Sequence, residues 1–395
     1  MIRKTLRILV LSAPLCLAAL LFALWLEHRA SLTLPAPTGP FPVGRSIYDW
    51  LDPAAPDSLS PVPGARRELL VWIWYPAATA PAAAPAAYLP AAPPKPPLLF
   101  RLLTRDPSKV HGHSLCDPDV SPRQPSYPVV ILRGGASLEV SNYSTLAEDL
   151  ASHGYIVVGL DAPYRTLHVA FPDGRVIART PANNPELYSG AEFTTRANQL
   201  LAAWTADMSF VLDRLAALNA SDPSRKFTGR LDLQHVGAFG HSFGGAQSAQ
   251  FCQTDLRCQA GIDIDGALLG SVLQTGIHKP FMFLLSGNGD FSSASEIRQF
   301  QAEIQSVYDR LPPNGRLRLV IRGANHFTFT DDGALLKSHL LRGVFRVFGM
   351  LGIDGRRQLA VTAYCVRTFF DACLKGAPVS PPRIDAALYP EIQIQ

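Results

Sequence analysis

The sequence is most constrained by the stretch HVGAFGHSFGGAQSAQ, which runs from His235 to Gln250. Residues 236–239 are apolar and predict a short buried strand, and residues 240–244 match the pattern G-x-S-x-G. The small residues that follow are typical of a helix that begins close against a sheet. A strand, a sharp turn and a helix in this order form a nucleophile elbow, which presents its serine at the carboxyl end of the strand. We therefore expect Ser242 to be an exposed nucleophile.

Apolar runs of strand length alternate with helical patterns through most of the chain. The predicted strands cover residues 68–76, 128–132, 155–161, 236–239, 261–264, 281–285 and 317–321. Several of these runs are apolar without a break, which is typical of strands buried on both faces of a parallel sheet. With the elbow motif, this alternation predicts an α/β-hydrolase fold, in which helices cover both faces of a mostly parallel central sheet and insertions form loops or a cap.

The first 64 residues differ in composition from the rest of the chain. Residues 1–30 combine a basic start with an apolar run at 8–26, which is the pattern of a signal peptide or of an uncleaved signal anchor. This pattern predicts an exported protein that is periplasmic, secreted or anchored to the inner membrane, with membrane association through residues 8–26. Residues 31–64 are rich in Pro, Gly and Ser and predict a stalk.

Residues 65–395 are predicted to form one hydrolase domain with two insertions. The first insertion, at about 77–126, begins with a segment composed almost wholly of Ala and Pro, which cannot build a core. The second, at about 162–192, contains Pro-Asp-Gly at residues 172–174, which predicts a hairpin turn. Both insertions are expected to shape the substrate pockets.

Composition and charge exclude several classes of function. The chain is 47% apolar, which suits a large core, and its net charge of +4 is small for 395 residues. It has no dense run of Lys and Arg, so we predict no nucleic-acid partner. The cluster HGHSLCD at residues 111–117 lacks the second ligand group of a zinc site and is interpreted as a solvated loop. We expect neither a metal nor a cofactor.

The cysteine pattern predicts disulfides, because an exported chain enters an oxidising compartment. The pairs close in sequence are Cys252 with Cys258 and Cys365 with Cys373. These pairings leave Cys116 free.

An elbow serine requires a general base, and the expected order of an α/β-hydrolase places the histidine after it. The histidines that follow Ser242 are His278, His326 and His339. His278 precedes a predicted strand and His339 lies in a helical pattern. His326 lies in the loop after the strand at 317–321, where a side chain returns to the carboxyl edge of the sheet beside the serine. We therefore predict His326 as the base.

Two carboxylates compete to orient the histidine. Asp265 follows the strand at 261–264, and Asp290 follows the strand at 281–285. Strand order by itself favours Asp290, because α/β-hydrolases usually carry the acid at that position.

The oxyanion hole of such an enzyme is made of backbone N–H groups. One comes from the residue after the serine, Phe243, and another from the loop after an early strand. Here that loop reads RGGAS from Arg133 and follows the strand at 128–132. Gly135 is the predicted second donor, and its neighbour Ala136 is the alternative.

Three blocks of the sequence resemble a known family. They are GHSFGG at 240–245, DLASHGYIVV at 149–158 and AGIDIDG at 260–266, and they are joined by NHF at 325–327. Over about residues 66–345 the chain resembles the platelet-activating factor acetylhydrolase family, in its plasma and intracellular type II branch with bacterial relatives. The resemblance implies Ser242, Asp265 and His326 as the catalytic triad and thus favours Asp265 over Asp290. The family commonly has His-Gly where this chain has Arg133 and Gly134.

These features predict a serine hydrolase that cleaves carboxylic esters through an acyl-enzyme. The resemblance implies an esterase or lipase acting on a small-molecule or lipid ester, including short-acyl phospholipid esters. A peptidase or thioesterase using the same triad is the alternative within enzymes, and a catalytically idle, membrane-anchored fold used for binding is the alternative outside them. The sequence leaves the acyl chain length and the oligomeric state open.

Overall fold

The computed structural model describes residues 2–79, 83–91, 97–136, 138–287, 293–376 and 383–395. Its strands are β1 (Leu32–Thr33), β2 (Val43–Pro56), β3 (Arg66–Pro76), β4 (Val110–His111), β5 (Leu115–Cys116), β6 (Tyr127–Arg133), β7 (Ile156–Asp161), β8 (His168–Ala170), β9 (Val176–Ala178), β10 (Leu231–His241), β11 (Cys258–Ile264), β12 (Phe281–Ser286), β13 (Arg316–Ile321) and β14 (Ile392–Ile394). Its α-helices are α1 (Ile2–Arg29), α2 (Leu98–Leu102), α3 (Ser144–Ser152), α4 (Gly190–Ala220), α5 (Phe243–Thr254), α6 (Val272–Thr275), α7 (Ala294–Tyr308), α8 (His339–Val347) and α9 (Gly355–Phe370).

One large sheet organises the described residues. Its strands lie in the order β14-β13-β12-β11-β10-β6-β7-β3-β2-β5. The neighbours from β7 through β6 and β10 to β13 run parallel, whereas β3 runs antiparallel to β7 and β14 runs antiparallel to β13. The predicted parallel sheet is therefore confirmed, and β10, which carries the elbow, lies in its middle.

Helices cover both faces of the sheet, as predicted. One face is covered by α4, α5 and α7. Their residues Trp204, Phe251 and Val307, in that order, pack in one core with every second residue of the strands. On the other face, α3 and α9 pack Leu150 and Phe369 against the remaining strand residues. Burial on both faces explains why the central strands are apolar without alternation.

The predicted stalk at 31–64 is wrong for Val43–Pro56. These residues form β2, which pairs antiparallel with β3 over most of its length. The prolines and glycines of the segment hide a strand pattern that includes Ile47, Tyr48 and Trp50. Because β2 pairs with β5 only at Gly44 and Arg45, the rest of its outer edge tolerates proline.

The second insertion contains the predicted hairpin. β8 and β9 pair antiparallel around the turn at 172–174, where Gly174 has φ 91°. That backbone conformation is rare for residues with a side chain, so the glycine fits the turn. Elsewhere, α1 covers most of residues 1–30, and within the described part of the chain no helix combines the length and apolarity that crossing a bilayer requires.

The two predicted disulfides have different outcomes. Cys252 and Cys258 form a disulfide between α5 and β11, as predicted. Cys365 and Cys373 are free thiols, so that prediction is wrong. They lie in a continuous helical segment, along which eight residues separate them by about 12 Å, farther than a disulfide can reach. A disulfide agrees with the exported location that the first 30 residues predict, and the location itself stays a prediction.

A fully buried carboxyl group lies near the end of the sheet, just beyond His326. Asp331 accepts a hydrogen bond from the Thr145 backbone N–H at 3.1 Å. Burial raises the pKa of Asp331 to about 7. In the unfolded chain the group has its ordinary pKa of about 3.9 and loses its proton first, so Asp331 lowers the stability of the fold as the pH rises from about 4 to about 7.

We therefore expect Asp331→Asn to remove this loss, so that the slope of the free energy of unfolding against pH becomes more positive between about 4 and about 7. The slope should change by up to about 1 kcal/mol per pH unit, because the amide stays neutral in both states. Urea unfolding at several pH values measures this slope. Asp255→Asn is the control: burial would raise the pKa of Asp255, but hydrogen bonds from Arg257 lower it to about 2, so its replacement acts with the opposite sign and between about pH 2 and about pH 4, and the slope above pH 4 should stay nearly unchanged. Equal slopes in wild type and Asp331→Asn would contradict the prediction.

Candidate active site

Ser242 occupies the predicted elbow between β10 and α5. Its backbone has φ 57° and ψ −126°, a conformation that side-chain-bearing residues rarely adopt. The turn is held by hydrogen bonds from the Ser242 N–H to the Ile264 carbonyl and from the Gly245 N–H to the Ser242 carbonyl, each at 2.8 Å. The side chain is half-buried at the carboxyl edge of the sheet. The strain is therefore held by the sheet on one side and by α5 on the other.

The glycines of the elbow allow backbone to pass very close to backbone. A Cβ on Gly240 would lie 2.2 Å from the carbonyl oxygen of Gly244, and a Cβ on Gly244 would lie 2.4 Å from that of Arg133. A Cβ on Gly245 would lie 1.8 Å from the carboxylate of Asp263. No side chain fits at these distances, so the pattern G-x-S-x-G-G is a packing requirement of the turn.

The structure brings Asp265 and His326 together. The Oδ2 atom of Asp265 lies 2.9 Å from Nδ1 of His326, and the other carboxylate oxygen accepts the Ser286 backbone N–H at 2.8 Å. Burial would raise the pKa of Asp265, but the hydrogen bonds from His326 and Ser286 outweigh it and hold the pKa below its ordinary value. Asp265 therefore stays ionised, and it accepts a hydrogen bond from the Nδ1–H group of His326.

Local structure explains why these two side chains point at the elbow. Asp265 follows β11 directly and has φ 54°, which turns the chain at the edge of the sheet. His326 begins a 3₁₀ turn after β13, and the side chain of Asn325 caps that turn by accepting the Phe327 N–H. β10, β11 and β13 all end at the same edge, because they are parallel.

The other candidates from the sequence are placed elsewhere or fall outside the described residues. Asp290, the alternative acid, lies outside them. His278 is exposed, and His339 is a surface residue whose Nδ1 lies 2.6 Å from the Glu27 carboxylate. Asp263 is fully buried and accepts the Gly266 N–H at 2.8 Å. Burial raises the pKa of Asp263 well above its ordinary value, which favours the neutral form of this carboxyl group.

The predicted oxyanion donors lie around one small cavity. Phe243, Gly135 and Ala136 line it, and it has room for about one water molecule. Phe243 is the first residue of α5, where backbone N–H groups have no partner within the helix. The Gly135 N–H, however, donates to the Tyr143 hydroxyl at 3.0 Å, whereas the Ala136 N–H makes no hydrogen bond to another described residue. The choice between Gly135 and Ala136 as second donor therefore stays a prediction.

The loop that carries these glycines is held by a buried arginine. Arg133 stacks on the Trp204 ring, with its guanidinium carbon 3.9 Å from the ring centroid, and donates from Nε to the Gln247 side chain at 2.7 Å. Arg133 therefore fastens the loop to α4 and α5. Sequence reasoning noted this arginine only as a departure from a family pattern; a charged residue that ends an apolar strand was the available signal.

Two further residues at the site were not singled out from the sequence. Tyr143 and His241 are both buried, and His241 lies against the base, with 4.6 Å between the His241 and His326 ring centroids. The position of His241 directly before the serine was the available signal, whereas nothing in the sequence distinguishes Tyr143.

Comparisons with known proteins agree with this geometry. Residues 207–371, which include Ser242, Asp265 and His326, match the family described as platelet-activating factor acetylhydrolase, isoform II. A protein of Arthroderma benhamiae named probable 1-alkyl-2-acetylglycerophosphocholine esterase is 28% identical over 280 residues, which are 67% of this chain and 65% of that protein. The platelet-activating factor acetylhydrolase of Cavia porcellus is 26% identical over 219 residues, 52% of this chain and 48% of that protein. The chain thus spans between about half and two thirds of the length of these relatives.

A solved structure extends the similarity to nearly the whole chain. The ferulic acid esterase from Streptomyces cinnamoneus superposes with a TM-score of 0.74 at 26% identity and covers 93% of this chain and 100% of its own. This match confirms the α/β-hydrolase fold. The family match and the named relatives confirm the resemblance that the sequence blocks indicated.

Proposed function

We propose that this chain, a relative of the platelet-activating factor acetylhydrolases, is a serine hydrolase that cleaves carboxylic esters through an acyl-enzyme. One observation carries the proposal: the ionised, half-buried Asp265 lies 2.9 Å from His326, at the sheet edge that carries Ser242 on a strained elbow. An acid, a histidine and an elbow serine at one sheet edge are the components of a nucleophilic triad.

The geometry supports a two-step reaction. Asp265 holds the proton of His326 on Nδ1, which leaves Nε2 free of a proton and able to accept the one from the Ser242 hydroxyl. The Ser242 oxygen attacks the ester carbonyl, and the N–H of Phe243 together with one from the loop at 134–136 stabilises the oxyanion. His326 then gives its proton to the leaving alcohol. A water molecule, deprotonated by His326, releases the acid and restores the serine.

The substrate proposed for this site is an ester with a short acyl group, carried by a phospholipid or another alcohol. The small cavity beside Phe243 and Gly135 is not lined by Ser242, so the short acyl group is proposed from the relatives and not from the volume of this cavity. Two relatives are named for acetyl esters, one as a probable 1-alkyl-2-acetylglycerophosphocholine esterase and one as a platelet-activating factor acetylhydrolase. The similar solved structure, a ferulic acid esterase, supports ester hydrolysis but not a short acyl group, because ferulate is a large aromatic acid. A thioesterase or peptidase with this triad is the alternative.

A p-nitrophenyl ester series from acetate to palmitate tests the proposal. We expect kcat/KM to be highest for acetate or butyrate and to fall as the chain lengthens, in keeping with the acetyl esters for which the relatives are named. Labelling by a fluorophosphonate probe, with a heat-denatured sample as control, reports whether the serine is reactive at all. A maximum at palmitate would contradict the short-acyl substrate. Absence of both turnover and labelling would contradict the enzyme and favour a binding role.

A further inference from the structure

A chain of three hydrogen bonds connects the oxyanion loop with the turn that carries the base. The Gly135 N–H donates to the Tyr143 hydroxyl at 3.0 Å, and that hydroxyl lies 2.9 Å from Nδ1 of His241. On the other side of its ring, Nε2 of His241 lies 2.7 Å from the backbone carbonyl oxygen of His326. The chain passes directly beside Ser242, because His241 is the preceding residue.

The direction of every bond in this chain follows from simple rules. The carbonyl oxygen of His326 can only accept, so Nε2 of His241 carries the proton. Burial, together with the nearby His326, lowers the pKa of His241 to about 3, so the ring is neutral and its Nδ1 is an acceptor. The Tyr143 hydroxyl must then donate to Nδ1, which leaves its oxygen to accept the Gly135 N–H. A single arrangement satisfies all four groups.

The surroundings of His241 suit a neutral ring. Its ring packs against those of His326, at 4.6 Å between centroids, and of Phe329, at 5.9 Å. Asp265 is the charged group that acts on it from the neighbouring strand. When His326 gains a proton during the reaction, a neutral His241 adds no repulsion to the new imidazolium.

We infer that Tyr143 and His241 are positioning residues, which together couple the oxyanion loop at Gly135 to the base turn at His326. We call the two side chains the bridge. The inference rests on the proposed function, since it concerns the same site. By holding the Gly135 N–H, the bridge fixes the peptide plane that sets the loop against Phe243. It therefore contributes to transition-state stabilisation and little to substrate binding.

Tyr143→Phe tests the bridge, because it removes one hydroxyl and keeps the ring. The variant leaves the Gly135 N–H and the His241 Nδ1 atom without their partner. We expect kcat for p-nitrophenyl acetate to fall roughly 10-fold to 100-fold with KM nearly unchanged. A trifluoromethyl ketone forms a tetrahedral hemiketal with the serine, and this adduct carries the oxyanion. Inhibition by such a ketone should therefore weaken by a similar factor.

Tyr127→Phe is the matched control. Tyr127 begins β6 of the same sheet and is also fully buried. Its hydroxyl donates to the Ser121 carbonyl at 2.9 Å. Each variant loses the hydroxyl of a buried tyrosine: that of Tyr127 makes one hydrogen bond and that of Tyr143 makes two. Both variants should therefore unfold at a lower temperature than wild type. A purely structural role for Tyr143 predicts equal kcat in the two variants, which would overturn the inference.

A double variant and a measurement that needs no turnover complete the test. His241→Leu breaks the same chain, so Tyr143→Phe combined with it should lose no more kcat than the more damaging single variant; additive losses would overturn the inference. Hydrogen exchange of the Gly135 amide should accelerate in Tyr143→Phe and stay unchanged in Tyr127→Phe. Unchanged exchange in both would show that no bridge exists. If exchange responds but wild type has no Ser242-dependent turnover, the bridge stands and the proposed function fails.

Discussion

Replacing Ser242 with alanine is expected to lower kcat for ester hydrolysis by roughly a millionfold. The change removes the oxygen that attacks the carbonyl, so no acyl-enzyme can form, and the remaining hydrolysis comes from binding and from the oxyanion donors. The fold should persist, since the backbone bonds of the Ser242 N–H and carbonyl hold the elbow without the hydroxyl. Steady-state assays with p-nitrophenyl acetate and thermal unfolding measure both effects.

Ser248→Ala is the matched control for this change. Ser248 lies two turns of α5 further on, is fully buried, and donates its hydroxyl hydrogen to the Gly244 carbonyl at 3.0 Å. Its loss should cost about 1 kcal/mol of stability and leave kcat within a few-fold of wild type. Substantial ester hydrolysis by purified Ser242→Ala would exclude Ser242 as the nucleophile and would direct attention to another group at the sheet edge.

The second large effect is expected from Asp265→Asn, which should lower kcat by about 10,000-fold. The amide keeps the shape of the carboxylate but donates where Asp265 accepts. Nδ1 of His326 must then accept, so the proton of the ring moves to Nε2, which can no longer take one from Ser242. KM should change little, because neither residue is expected to hold the substrate before the reaction.

Asp263→Asn separates this effect from the loss of a buried acid. Asp263 lies two residues before Asp265 and is fully buried, which favours its neutral form, so we expect the amide to replace it with little change in charge. We expect near-normal kcat for Asp263→Asn in the same assay in which Asp265→Asn loses most of its kcat. If Asp265→Asn retained kcat within about 10-fold of wild type, Asp265 would not be the orienting acid, and a variant at Asp290 would be the next to measure.

The features that the sequence predicted well depend on neighbours close in the chain. The elbow at 240–244 requires glycines at fixed positions around Ser242, because backbone atoms approach within the distance that a Cβ would occupy. The buried strands are apolar because both of their faces are covered. The position of His326 follows from its place directly after a parallel strand, whose end reaches the same edge as β10.

Other features needed the tertiary structure, because they depend on contacts between distant parts of the chain. Asp265 and Asp290 both follow parallel strands; strand order by itself favoured Asp290, and the family resemblance favoured Asp265. The structure shows the contact between Asp265 and His326, which joins residues 61 positions apart. The segment predicted as a stalk contains β2, which pairs with β3. Composition does not show which segment will pair with a strand of the sheet.

This difference between local and long-range determinants also separates Ser242 from the groups around it. The sequence by itself determined the fold class, the elbow serine and the histidine, because local backbone geometry and burial restrict residue type at those positions. The tertiary structure decided the partner of His326 and joined Gly135, Tyr143 and His241 across 98 positions between the tyrosine and the histidine. A side-chain hydrogen bond of that kind leaves no periodic trace in the sequence, since its energy depends on where two distant segments meet.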